Sequence, residues 1–98
     1  MKVRFTAAAR RQLREIGDRI AQDSPRRALT FIAEIEGRCR NLSEMPERFP
    51  LVPGREEHGI RRVAVGNYLI FYRVEPGAAV ILHVLHGARD IDALLFGS

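Results

Sequence analysis

Residues 60–85 read IRRVAVGNYLIFYRVEPGAAVILHVL, and this stretch decides the fold. Its apolar residues recur every second position or run on without a break. That spacing predicts three strands, over residues 60–65, 68–74 and 79–85. Gly66-Asn67 puts glycine first in a two-residue hairpin turn, and Pro76-Gly77 supplies a second turn. The short loop sets the register, placing Val65 opposite Tyr68, Val63 opposite Ile70 and Arg62 opposite Phe71. One face then carries Val63, Val65, Tyr68, Ile70, Tyr72 and Val74, an apolar layer suited to lie under helices. The other carries Ile60, Arg62, Ala64, Leu69, Phe71 and Arg73. Two arginines beside Phe71 on an uncovered sheet face would make a docking surface.

Toward the N-terminus, residues 45–59 hold Pro46, Pro50, Pro53, Gly54 and Gly59, which predicts a structureless loop, long for so small a chain and suited to face a partner. Before it, Ala28, Phe31 or Ile32, Ile35, Cys39 and Leu42 are spaced by three or four, one stripe of a helix over residues 25–43. Ser24 is its cap and Pro25 sits in the first turn, where no amide donor is needed. A preceding helix over residues 7–22 follows the same logic through Ala9, Leu13, Ile16 and Ile20, with Thr6 as cap. So short a break between the helices makes them an antiparallel hairpin. Lys2-Val-Arg-Phe5 alternates and reads as a strand whose place in the sheet the pattern leaves open. The expected fold is a single α+β domain over residues 1–98: a short strand, a helix hairpin, then a three-stranded antiparallel meander with both helices on one face.

The chain has 98 residues, 46% of them hydrophobic, which is too apolar for disorder and too short for two cores. Of its 16 basic residues 15 are arginine, against 12 acidic ones. Arginine keeps its charge when desolvated and grips carboxylate or phosphate through a planar fork. The excess is uneven: +5 over residues 1–40, −2 over residues 41–59 and +1 over residues 60–98. Because the sheet is nearly neutral, sequence-specific nucleic-acid binding is not expected, and an acidic protein partner is. The single cysteine, Cys39, lies on a buried stripe and reads as a core thiol. No zinc framework fits one Cys with His58, His83 and His86, no cofactor motif is present, and no stretch approaches a membrane span. Cytoplasmic residence is the default expectation.

After the last strand comes His86-Gly87-Ala88-Arg89-Asp90, a polar cluster at the mouth of the sheet. His86 is a candidate acid or base, and Arg89 is placed to project over the second face. Alternatively Arg89 and Asp90 pair, or cap a short segment over residues 91–96. His83 reads as a satisfied core histidine inside an apolar run. No triad, phosphate loop or carboxylate pair is present, so no catalytic residue is assigned.

Phe5-Thr6, Ser24-Pro25 with Ala28 and Phe31-Ile32, Leu42 with Pro46, Gly59-Ile60-Arg61-Arg62, the strand from Tyr68 to Val74, and Val84 to Asp90 occur in one order. That ordered set resembles the ParE branch of the ParE/RelE toxin superfamily over almost the whole chain. The resemblance implies the toxin of a type II toxin–antitoxin pair, held in a hetero-oligomer by a ParD-like antitoxin with an acidic C-terminal tail and directed at DNA gyrase. It assigns Arg62, Phe71, Arg73, Arg10 and Arg14 to antitoxin binding, and His86, Arg89 and Asp90 to toxicity or target binding. RelE-like relatives instead cut mRNA on the ribosome. Arg62 and Arg89 match basic positions of those nucleases, but Leu69 stands at an arginine position and Leu95 near a C-terminal tyrosine. A nuclease without those groups is poor, so a binding protein without catalysis is expected; a non-toxic antitoxin-binding relic is the third reading.

Overall fold

The computed structural model describes residues 1–97. Its elements are β1 (Lys2–Phe5), α1 (Ala7–Asp23), α2 (Pro25–Asn41), a 3-10 turn (Glu56–His58), β2 (Ile60–Val65), β3 (Tyr68–Glu75), β4 (Ala78–His86) and α3 (Ile91–Phe96). The sheet order is β1-β4-β3-β2. The meander keeps the register set by the Gly66-Asn67 turn, with Val65 opposite Tyr68, Val63 opposite Ile70 and Arg62 opposite Phe71. β1, whose place the sequence leaves open, lies parallel to β4 at the edge, Lys2 opposite Ala78 and Phe5 opposite Ile81.

Both helix starts form as the sequence predicts. The Thr6 hydroxyl accepts the Ala9 N–H at 3.1 Å and donates to the Leu82 carbonyl at 2.9 Å, so one side chain caps α1 and ties it to β4. Ser24 accepts from the Arg27 N–H at 3.1 Å, with Pro25 opening α2. α2 stops at Asn41, two residues before the predicted end, because the last turn tightens. Leu42 and Ser43 donate to carbonyls three residues back, Cys39 and Arg40. Ala9 and Ile16 of α1 with Phe31, Ile35 and Cys39 of α2 bury Val63, Val65, Ile70, Tyr72, Ala79, Ile81 and Val84 of the sheet.

Two expectations fail. The 45–59 segment is not structureless: it folds back along β2, with Val52 N–H bonding to Ile60 O at 2.8 Å and Arg62 N–H to Pro50 O at 3.1 Å. Arg61 Nη1 donates to the Glu47 and Phe49 carbonyls at 3.2 and 2.7 Å, and the Tyr72 hydroxyl to Pro46 O at 2.6 Å. Its prolines cannot donate to a ladder, yet their carbonyls still accept, as Pro46 O and Pro50 O do here.

The second sheet face is not uncovered either. Val52, Ile60, Phe71 and Leu85 form a second, smaller core on that face, packed by Leu69, Leu82, Ile91, Leu95 and Phe96, so the expectation that the chain is too short for two cores is also corrected. The cover is α3, capped by the Asp90 carboxylate on the Ala93 N–H at 3.2 Å. Arg55 holds it to the loop through a fork on Asp92, Nε to Oδ1 at 3.1 Å and Nη2 to Oδ2 at 2.7 Å. The same guanidinium stacks 4.8 Å from the Phe96 ring centre, and the His58 ring centre lies 4.6 Å from that ring centre. The Arg55 hydrogen bonds keep the Asp92 carboxyl below its ordinary pKa. The fork should therefore persist at neutral pH and loosen in acid. Asp92→Ala should speed amide exchange in residues 93–96 while leaving β3 amides protected, as exchange mass spectrometry would read.

Candidate functional site

The chain from His86 to Asp90 is a tight turn seated on the β2–β3 hairpin. Gly87 N–H bonds to Asn67 O at 2.8 Å, and a Cβ there would lie 3.4 Å from that same oxygen, so a side chain would crowd the seat. His86 Nδ1 accepts the Ala88 N–H at 3.0 Å, and the ring meets Tyr68 edge-on at 5.1 Å, itself 5.2 Å from Phe31. Of the cluster's three polar side chains, Asp90 is spent as a helix cap and His86 on holding the turn. The capping alternative thus holds for Asp90, whereas Arg89 is exposed and has no acidic partner among the described residues.

Arg62 and Arg73 emerge half-buried beside Phe71, on β2 and β3. Phe71 itself has 0% of its surface exposed. Its expected place on an open docking face is corrected: the ring supports the floor between the two arginines and presents nothing to solvent. The physical cause is the apolar stripe of α3, which the sequence reading left as a short terminal segment. Arg10 and Arg14 lie elsewhere. Both are exposed on α1 around a depression of about 200 Å³ shared with Phe5, Leu13 and Glu36, and Arg10 stacks 5.6 Å from the Phe5 ring centre. Phe5 belongs to edge strand β1, whereas Arg62 belongs to β2 at the opposite edge. The four arginines among the expected contact residues therefore form two basic patches, one on α1 and one on β2 and β3.

Sequence reasoning missed a third group. Gln12 of α1 accepts the Val84 N–H through Oε1 at 2.8 Å and meets His83 Nδ1 through Nε2 at 3.0 Å. His83 is half-buried, with its side chain tied to α1 and away from the helix-facing core. A bulge opposite Phe71 and Tyr72 explains this: Phe71 pairs with His83 and Tyr72 with Ile81, so the alternation resets and Val84 takes the core position. No local residue pattern announces that bulge. Burial first, and the nearby Arg11 charge second, push the His83 pKa below 6.5. The unfolded chain therefore binds this proton more readily than the folded one. Its contribution to stability is complete above pH 6.5, falls as pH drops below that value toward the folded pKa, and levels off beneath it. Urea titrations between pH 7.5 and pH 5 should show this slope (about one proton at most), and His83→Asn should flatten it.

Cys39 is fully buried, and burial pushes its thiol up to about 12, so it stays protonated and is no nucleophile. Among the described residues no three His, Cys, Asp or Glu side chains converge as metal ligands, and no helix is long and apolar enough to cross a membrane.

The model of one family, described as the ParE toxin of the type II toxin–antitoxin system parDE, matches residues 3–91. The chain belongs to the ParE toxin family. Among solved structures, a chain of the chromosomal ParDE toxin–antitoxin system from P. aeruginosa superposes with a TM-score of 0.75 at 20% identity, covering 88% of this chain and 95% of that one. At that identity the likeness speaks for the fold alone. A chain of the RelBE2 toxin–antitoxin complex from Mycobacterium tuberculosis gives a TM-score of 0.64 at 30% identity, with 87% and 95% covered. No curated protein matches the chain. The ParE match takes in both basic patches and the His86–Asp90 turn and ends at the first residue of α3.

Proposed function

We propose that this ParE-family toxin inhibits DNA gyrase by binding it, without catalysing a reaction of its own, and is neutralised by a ParD-like antitoxin. The observation that carries the antitoxin half is the pair of separated basic patches, one on α1 beside edge strand β1 and one on β2 and β3. Neither Arg10 and Arg14 nor Arg62 and Arg73 have acidic partners among the described residues. Uncommitted guanidinium forks are ready for carboxylates, and an extended acidic tail can reach both patches where a compact partner would reach one. Both neighbouring folds come from toxin–antitoxin complexes, which supports a partner of this kind. Toxin, antitoxin and gyrase would meet in the cytoplasm.

The gyrase half rests on what the second face offers chemically. Cutting RNA needs a base for the 2′-hydroxyl, an acid for the leaving oxygen and cations at the phosphate. Leu69 stands at a position where nuclease relatives carry arginine and Leu95 near that of their tyrosine, and both leucines pack into the second core. Arg62 and Arg73 remain as binding groups. Arg89, exposed at the end of β4, is assigned to the target. Removing one central arginine from an interface costs about 2 kcal/mol, roughly thirtyfold in affinity. Induced without antitoxin, the parent should arrest growth and Arg89→Ala should let colonies form. Equal toxicity of the two would contradict the assignment.

A further inference from the structure

Between α1, the end of β4 and the turn before α3 lies a cavity of about 220 Å³, walled by Arg11, Glu15, His83 and Arg89 over Leu85 and Leu94. We propose that it binds a singly charged phosphodiester, the backbone linkage of a nucleic-acid strand.

β4 has a free edge beyond its pairing with β1. β1 pairs with β4 only as far as Ile81, and Thr6 takes the next carbonyl, Leu82. Past that point α1 must satisfy the edge with a side chain, and Gln12 does so by accepting the Val84 N–H. A backbone N–H can only donate, so this bond fixes which end of the Gln12 amide is oxygen. The amide nitrogen therefore faces His83 Nδ1 and donates to it. Nδ1 is the acceptor, and the ring proton is on Nε2. Protonating the ring would set two donors against each other, so His83 presents a neutral N–H donor that the protein itself holds in place. Nothing among the described hydrogen bonds takes that donor.

The two guanidinium groups are also uncommitted. Arg11 reaches Glu15 only at 3.8 Å, beyond hydrogen-bond length, with both groups largely exposed. Arg89 has no acidic partner among the described residues. Leu85 is buried and Leu94 is 43% exposed, and together they form the apolar wall of the cavity. Donors thus come from three elements around one space. A planar carboxylate is served by a single arginine fork, whereas a tetrahedral phosphoryl group takes donors from several directions. Charge narrows the choice further. Two arginines and Glu15 leave one net positive charge beside a neutral imidazole, which matches a monoanionic diester better than a dianion.

This site shares no residue with either antitoxin patch and does not depend on gyrase being the target. It gives Arg89 a chemical task, one contact to a strand's backbone, which carries no sequence information. The test is a titration of isotope-labelled protein with the dinucleotide dTpT, read by NMR at the His83 ring and at the Arg11 and Arg89 Nε–H groups. The expected result is saturable shifts at all three, weakened roughly tenfold by Arg89→Gln and likewise by Arg11→Gln, because each loses a charge-assisted bond. These two side chains are exposed, so the variants test binding without threatening the fold. Shifts confined to Arg62 and Arg73 or to Arg10 and Arg14, or no saturation, would overturn the proposal. So would inorganic phosphate or acetate binding there as tightly as dTpT, since the site would then be selective for a free anion or a carboxylate.

Discussion

Phe71→Ala should lower the free energy of unfolding by about 3–5 kcal/mol, the cost of emptying a well-packed aromatic site. For a chain of this length that is a large part of a total stability on the order of 5–15 kcal/mol. The ring is fully buried, enclosed by Val52, Ile60 and Leu85 and overlain by residues of α3. The same residue on an uncovered sheet face would behave as a surface substitution, within about 0.5 kcal/mol. Urea unfolding separates these outcomes without ambiguity. A large loss means that α3 and the loop close the second face in the free toxin; a loss under about 1 kcal/mol would mean that the face is open.

Replacing Arg62 and Arg73 together by alanine should weaken antitoxin binding by roughly thirtyfold to a thousandfold, corresponding to about 2–4 kcal/mol for two arginine anchors. The two share the surroundings of Phe71, so their effects need not add. Neither has an ion-pair partner among the described residues, and the folded toxin should barely register the loss. That contrast with Phe71→Ala is the useful one. Calorimetric titration with the cognate antitoxin should show weakened affinity at unchanged melting temperature. Unchanged affinity would remove the second face from the interface.

The meander was legible because its signals are local. The spacing across Gly66-Asn67 dictates which residues face each other, and a one-residue slip would send Val63 and Ile70 to the wrong side. Thr6 and Ser24 were legible for the same reason, as each cap bonds an amide three residues ahead. What escaped depends on contacts between distant parts of the chain. Arg55 and Asp92 are 37 residues apart, and neither has a neighbour that marks it as half of a fork. The β1–β4 pairing joins the two ends of the chain. His83 was misplaced because a bulge changes the strand's phase, while the apolar run Val80 to Leu85 gives no sign of it. Among the candidate site residues, the arginines were chosen for their chemistry, which a sequence displays directly. Phe71 was misjudged because its exposure is decided by α3, six residues whose docking no periodicity reports.

Gyrase inhibition by binding is the central claim, and one purified preparation tests it against its rival. The toxin is added to gyrase with relaxed plasmid and, in parallel, to ribosomes translating a defined mRNA, each with and without antitoxin. The account predicts that supercoiling stops and cleaved plasmid accumulates, that antitoxin reverses both, and that the mRNA stays intact. Truncation of the mRNA on the ribosome while supercoiling proceeds would contradict it.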